Sequence, residues 1–129
     1  MKKLQVWISA CRLRTLPLSI SGAIVGSGAA YSIGLFNLTI FVLTILSTLS
    51  LQILSNLAND YGDGVKGTDN QNRIGPERAL QSGVISPKQM KNAIAINVII
   101  CFFLVVTLIY IAFGIDKFLT SFVFIALGA

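Results

Sequence analysis

The chain has 129 residues, of which 54% are hydrophobic and 12% are charged. An ordinary soluble domain has about 25% charged residues, and a mean hydropathy of +0.79 places this chain among integral membrane proteins. The net charge of +5 does not indicate nucleic-acid binding, because the basic residues flank apolar stretches and no aromatic residues are interleaved with them.

The first residues have the pattern of a short amphipathic helix. Leu4, Trp7, Ile8 and Cys11 would share one helical face. This pattern predicts an interfacial helix on the membrane surface. Pro17 then opens the first apolar stretch, because proline suits the first turn of a helix.

Three apolar stretches, 16–34, 36–57 and 93–114, have about the length needed to cross a bilayer, whereas a fourth, 118–129, is too short. A half-span would expose unsatisfied backbone groups to lipid. The sequence therefore predicts an all-α integral membrane protein, the N-terminal part of a multi-span helical bundle with three full spans and a truncated fourth.

The first apolar stretch could instead be a signal peptide, but it is longer than a typical signal core. Its small residues Gly22, Gly26 and Ala30 recur every fourth position, which is typical of a helix-packing stripe. We therefore expect a membrane span.

Basic residues concentrate before the first span and between the second and third, and only Lys117 follows the third. The positive-inside rule then places the N-terminus and the loop 58–91 in the cytoplasm. We expect a multi-pass protein of the inner (cytoplasmic) membrane.

Four polar side chains lie three and four residues apart where the second span ends, so on a helix they would share one face. They are Asn56, Asn59, Asp60 and Asp63. Hard oxygen ligands of this kind suit Mg²⁺, and ionisable groups at a membrane edge indicate a functional site. The neighbouring Asp69 is a further candidate ligand.

Basic residues of the same loop could complete an anion site. Carboxylates alone repel a diphosphate, but bridging metal ions attract it, and Lys66, Arg73 and Arg78 could neutralise the remaining charge. Arg12 and Arg14 are candidates for holding an anionic group at the cytoplasmic rim, although membrane topology explains them equally well.

Other types of site fit less well. An EF-hand starting at Asp60 would place Gly62 at a ligand position and Gln71 where the bidentate Glu belongs. No Walker A motif occurs, and the absence of histidine together with two distant cysteines argues against zinc. A solvated helix end remains the plainest alternative for the acidic residues.

Three sequence blocks resemble a known family. The sequence AsnAspTyrGlyAsp, with the pattern Asn59-x-x-x-Asp63, resembles the first aspartate-rich motif of the UbiA superfamily of membrane prenyltransferases. The blocks ArgLeuArgThrLeuProLeuSer at 12–19, LysGlyThrAsp at 66–69 and GlyProGluArgAlaLeuGlnSerGlyValIleSerPro at 75–87 are similar to its MenA type, the 1,4-dihydroxy-2-naphthoate polyprenyltransferases. The resemblance covers about residues 7–91.

The resemblance implies a helical bundle that transfers a polyprenyl group from polyprenyl diphosphate to an aromatic acceptor, with Mg²⁺ as cofactor. For the MenA type the acceptor would be 1,4-dihydroxy-2-naphthoate, converted with decarboxylation to demethylmenaquinone. The implied catalytic residues are Asn59, Asp60 and Asp63. The implied metal ligands are Asn59, Asp60, Asp63 and Asp69. The implied diphosphate-binding residues are Lys66, Arg73, Arg78, Asn56, Arg12 and Arg14.

The sequence departs from the superfamily pattern in two ways. The position of its third carboxylate is Gly67, and Asp69 lies two residues further on. A second aspartate-rich motif does not occur after Lys91, so we expect the chain alone to be inactive.

Two alternatives remain. A small non-catalytic membrane subunit could use the acidic loop to dock a partner. A transporter fragment fits less well, because its polar residues should lie near the bilayer midplane.

Overall fold

The computed structural model of the chain describes residues 2–67 and 78–128, the side chains of 118 and 124–128 excepted. The described residues form four α-helices, which confirms the all-α prediction. A single 3-10 turn, Leu13–Thr15, joins the first two. The helices are α1 (Lys2–Cys11), α2 (Leu16–Ser32), α3 (Leu38–Lys66) and α4 (Pro87–Gly128).

Two helices within the described residues are long and apolar enough to cross a membrane. They are Leu38–Lys66 and the Pro87–Lys117 part of α4. Helix α2 has 17 residues and no buried side chain. Large apolar side chains such as Leu18 and Val25 are exposed on it, as expected of a surface that contacts lipid.

Helix α1 packs on the rest of the protein with one face and exposes the other. Val6, Trp7 and Ala10 belong to the packed core, whereas Leu4 and Ile8 are exposed. The small Ala10 side chain permits a close approach to α3, which α1 contacts directly. Helix α1 is therefore docked against another helix, and its C-terminal end lies beside the end of α3.

The small-residue stripe of α2 faces α3 without tight packing. Gly22, Gly26 and Ala30 line a cavity of about 320 Å³ whose other wall includes Ile40 and Thr44 of α3. A Cβ added at Gly22 or Gly26 would meet no heavy atom within 4 Å. The stripe therefore borders a gap, in contrast to the close helix contact that its spacing suggested.

Helix α3 continues beyond the predicted end of the second span. Asn37 caps its start by accepting a hydrogen bond from the backbone N–H of Ile40 (3.0 Å). Gly67, at φ 68°, ends it in the left-handed conformation that glycine adopts easily. The helix thus includes the polar residues that the sequence placed in the loop 58–91, and they lie on a rigid element.

Helix α4 begins with a capping box. The Ser86 hydroxyl accepts from the Gln89 N–H (3.2 Å) and the Gln89 side chain accepts from the Ser86 N–H (3.1 Å). These two hydrogen bonds fix the direction in which the chain enters the second apolar helix.

The helix α4 bends sharply at Gly114, where φ is 70° and ψ is 179°. After this point the chain turns back, because Phe122 lines one cavity together with Val98 and Phe102. On a straight helix Val98 and Phe122 would be roughly 36 Å apart. Apolar segments therefore lie on both sides of Gly114, as the predicted break between 114 and 118 suggested.

The buried core lies at the polar end of the helices. It joins α1, α3, the segment before α4 and the first turn of α4, and Ile85 and Met90 are completely buried in it. The buried core residues are Ala10, Leu57, Ala79, Ile85 and Met90. This cluster holds together the elements that surround the polar site.

Candidate functional site

Asp60 holds the segment of the chain that begins at Arg78. Its carboxylate accepts a hydrogen bond from the Ala79 N–H (3.1 Å) and lies 3.7 Å from the Arg78 guanidinium Nε. Asp60 is 2% exposed. Because a buried carboxylate is costly unless it is paired and hydrogen-bonded, these contacts anchor the segment at residues 78–83 on α3.

Arg78 joins both aspartates. Its Nη1 donates to Asp63 Oδ2, and its side chain is 17% exposed while that of Asp63 is 41% exposed. Asp60 and Asp63 lie one helical turn apart, so a single guanidinium fork reaches both. The structure thus brings Arg78, one of the basic residues that the sequence grouped with the acidic residues, into contact with both aspartates.

Asn56, a predicted diphosphate-binding residue, is buried and hydrogen-bonded inside the protein. It is 4% exposed, and its Nδ2 donates to the Cys11 carbonyl (3.0 Å) and to the Thr15 hydroxyl (3.3 Å). Its Oδ1 accepts from Gln52 (3.3 Å). With both ends of the amide engaged inside the protein, Asn56 connects α3 to the turn between α1 and α2.

The turn held by Asn56 carries two arginines. Arg12 has φ 49° and ψ 59°, the left-handed conformation, and it ends α1. The Arg12 carbonyl accepts from both the N–H and the hydroxyl of Thr15 (2.9 Å each). Burial raises the pKa of the neighbouring Cys11 thiol, so this thiol is uncharged at neutral pH.

A cavity of about 590 Å³ separates this turn from α3 and the 78–83 segment. Arg12, Arg14 and Thr15 line one side, and Asp60 and Arg78 line the other. Three arginines against one aspartate give the lining residues a positive balance. The volume lies within the range of small-ligand sites, and the charge favours an anionic ligand.

The remaining predicted site residues lie elsewhere on α3 or outside the described residues. Asn59 and Lys66 lie on α3 with exposed side chains, apart from the buried contacts of Asp60. The predicted residues Asp69 and Arg73 lie outside the described residues.

Few side chains in the described ranges could serve as the predicted metal ligands. No group of three or more His, Cys, Asp or Glu side chains there could hold a metal ion. Asp63 and Asn59, four residues apart and both accessible, nevertheless supply hard oxygens of the kind Mg²⁺ prefers. Asp60 fits less well, because it is almost completely buried and one of its oxygens accepts from the Ala79 N–H.

Sequence reasoning missed Thr15 and the Ala79 backbone. A threonine just before a helix indicates an N-cap, but the Thr15 side chain makes no capping bond and contacts Asn56 and Arg12. No local signal marks the Ala79 N–H, because its partner lies 19 residues away in sequence.

The helical architecture, the arginine-lined cavity and the carboxylates of α3 can be compared with known proteins. The sequence profile of the UbiA prenyltransferase family matches residues 19–129. The chain belongs to the UbiA prenyltransferase family. The resemblance carried by the AsnAspTyrGlyAsp block is thereby confirmed.

Curated relatives of this UbiA-family chain carry one name, 1,4-dihydroxy-2-naphthoate octaprenyltransferase. The protein from Escherichia coli (strain K12) is 47% identical over 96 residues, covering 74% of this chain and 31% of the relative. That from Haemophilus influenzae is 43% identical over 103 residues, covering 78% and 33%. That from Mycobacterium tuberculosis is 37% identical over 87 residues, covering 67% and 30%. The chain spans about a third of the length of these relatives, and no solved structure matches it.

Proposed function

We propose that this chain supplies the first half of the active site of a 1,4-dihydroxy-2-naphthoate polyprenyltransferase of menaquinone biosynthesis. The substrates would be a polyprenyl diphosphate and an aromatic acceptor. One observation carries the proposal: the arginine-lined cavity lies at the end of an apolar helix and beside the carboxylates of the family motif. An anionic headgroup could enter there while its apolar tail remains in the bilayer.

Each wall of the cavity would have its own task. Arg12 and Arg14 would bind the diphosphate from the α1–α2 turn, and Arg78 would bind it from the opposite wall. Arg78 contacts Asp60 and Asp63, so it is held beside the place where the negative charge must be neutralised. Lys66 and Arg73 would supply further positive charge.

Asn59 and Asp63 would hold Mg²⁺, with Asp69 as a further ligand and Asp60 in a supporting role. When bound, the metal ion would stabilise the charge that develops on the diphosphate oxygens. Holding the diphosphate on the arginines favours cleavage of the allylic C–O bond, in which the electron pair leaves with the diphosphate. The naphthoate carbon that bears the carboxylate then bonds to the allylic carbon, and the carboxylate leaves as CO₂ while its bonding electron pair restores the aromatic ring, which gives the quinol.

The site would face the cytoplasm of a cell with the protein in its inner membrane. The basic residues of the cavity walls support this orientation through the positive-inside rule. Both water-soluble magnesium and the acceptor would then reach the cavity from the same side.

A chimera tests the proposed function. This chain would replace the segment that it matches in the E. coli relative, in cells that lack that relative, and membranes would be assayed for magnesium-dependent formation of demethylmenaquinol, measured as demethylmenaquinone after oxidation in air. We expect the chimera to be active. We expect Asp63→Asn to reduce turnover at least about 100-fold, because loss of a metal ligand should exceed the usual effect of removing a residue that only supports one.

Asp116→Asn provides the matched control, because Asp116 is an exposed acid of α4 outside the cavity. It should leave turnover unchanged. An inactive chimera that is present in the membrane in normal amounts, or equal effects of the two substitutions, would overturn the proposal. Such a result would favour a non-catalytic membrane subunit.

A further inference from the structure

Asn56 is a polar side chain that the family motif does not include and the proposed chemistry does not use. It lies on α3 one turn before Asp60, and it is almost completely buried. Burying an amide is unfavourable unless its hydrogen bonds are made. Asn56 makes three, and two of them cross to the α1–α2 turn.

The two bonds that cross to the turn are accepted by a backbone carbonyl and a side-chain hydroxyl on either side of the arginines. One goes to the Cys11 carbonyl at the end of α1, where helix carbonyls lack intrahelical partners. The other goes to the Thr15 hydroxyl, which itself donates to the Arg12 carbonyl. Arg12 and Arg14 therefore lie within a five-residue turn that is attached to α3 on both sides.

The same helix carries Asp60, which fixes Arg78 and Ala79 on the opposite wall of the cavity. One turn of α3 thus determines the positions of both walls. Since helix residues four apart keep a constant separation, the distance between the two groups of arginines depends on the Asn56 hydrogen bonds.

We infer that Asn56, acting through Thr15, is a positioning residue that sets the arginine turn at the correct distance from Arg78 for binding a diphosphate. This inference rests on the proposed function. It assigns Asn56 no contact with substrate or metal. Its effect should appear in the binding of the anionic substrate and leave the metal requirement unchanged.

The Thr15 hydroxyl gives the gentler test, because Thr15→Val keeps the shape of a half-buried side chain and removes only the hydroxyl. In the chimera, Thr15→Val should raise the KM for polyprenyl diphosphate roughly three- to tenfold, the range expected for one hydrogen bond between the turn and α3. Asn56→Ala removes both crossing bonds and should raise the KM further. The kcat and the magnesium concentration for half-maximal activity should stay within about twofold. Thr15→Ser, which keeps the hydroxyl, should restore the wild-type KM.

Thr48→Val is the matched control, because its hydroxyl donates only to the Thr44 carbonyl within α3. It should leave the KM unchanged. A wild-type KM in Thr15→Val would overturn the inference. A lower kcat and less protein in the membrane, without a change in KM, would also overturn it, because they would indicate a structural role alone. If the unsubstituted chimera were inactive, the proposed function would fail as well; if it were active and Thr15→Val matched it, only the inference would fail.

Discussion

Arg12 is the one described residue other than glycine with a positive φ. An L-residue in the left-handed region costs about 1–2 kcal/mol relative to the right-handed one, so glycine would be expected where α1 ends. Strain of this kind persists where the surroundings enforce it, often at functional sites. Here the Thr15 hydrogen bonds to the Arg12 carbonyl enforce it, and the guanidinium-bearing side chain is kept at the cavity.

Two substitutions of Arg12 separate the strain from the charge. Arg12→Gly and Arg12→Ala both remove the guanidinium, but only glycine relieves the left-handed conformation. We expect the free energy of unfolding of the glycine variant to be about 1 kcal/mol higher than that of the alanine variant. Both variants should weaken diphosphate binding in the chimera. Denaturation of the detergent-solubilised chain measures the difference. Equal stability of the two variants would show that the turn is unstrained.

The part of the site that depends on residues close together in the sequence could be predicted. The sequence predicted that Asp60, Asp63 and Arg78 belong to one site, as metal ligands and a diphosphate-binding residue, and the structure places them together as an ion-paired group. The contact between Asn56 and Thr15 could not be predicted, because it depends on how α1 and α2 pack on α3. The burial of this amide therefore could not be predicted from the sequence.

At the scale of elements, the main difference from the sequence prediction is the length of α3. Gly62 and Gly64 resemble loop residues and the segment is polar, yet the helix continues to Lys66. Its last turns leave the apolar region and are stabilised by contacts of the 78–83 segment. Gly64 has a packing reason, because a Cβ there would lie 2.9 Å from Leu80 Cβ.

Alanine substitutions at the two glycines should have opposite effects. Gly64→Ala would push Leu80 away from α3 and displace Arg78 from the aspartates, so we expect a loss of about 1–3 kcal/mol in stability and reduced turnover of the chimera. Gly62→Ala meets no atom within 4 Å and should stabilise the helix by up to about 1 kcal/mol.

Unfolding of both variants by denaturant measures the two effects. Similar stabilities for Gly62→Ala and Gly64→Ala would contradict the close packing of Leu80 on α3.

At the scale of the whole molecule, the reversal of α4 determines how the apolar segments are arranged. The backbone of Gly114, with φ 70° and ψ 179°, lies in a region that is essentially restricted to glycine. The sequence located this break because Gly114 ends an apolar stretch and charged residues follow. It could not predict that the next segment folds back, since that depends on the contact of Phe122 with the earlier part of the helix.

Crosslinking tests the reversal directly. Phe122 and Cys101 line the same cavity of about 240 Å³, so a Phe122→Cys variant with Cys11→Ser should be crosslinked to native Cys101 by a short membrane-permeant thiol reagent. A neighbouring Val123→Cys, which does not line this cavity, should react poorly. Adding Gly114→Ala should lower the yield for Phe122→Cys, because alanine disfavours the turn. An unchanged yield would show that the reversal does not require glycine.

The cavity also has a consequence for the order in which the protein is made. All of its lining residues lie between Ile8 and Ala79, and the hydrogen bonds of Asn56 and Asp60 are made within the same stretch. None of these contacts requires the apolar part of α4. A ribosome still synthesising the apolar part of α4 can therefore hold a nascent chain in which these contacts are already made, and α4 would be inserted beside a polar site that is already assembled.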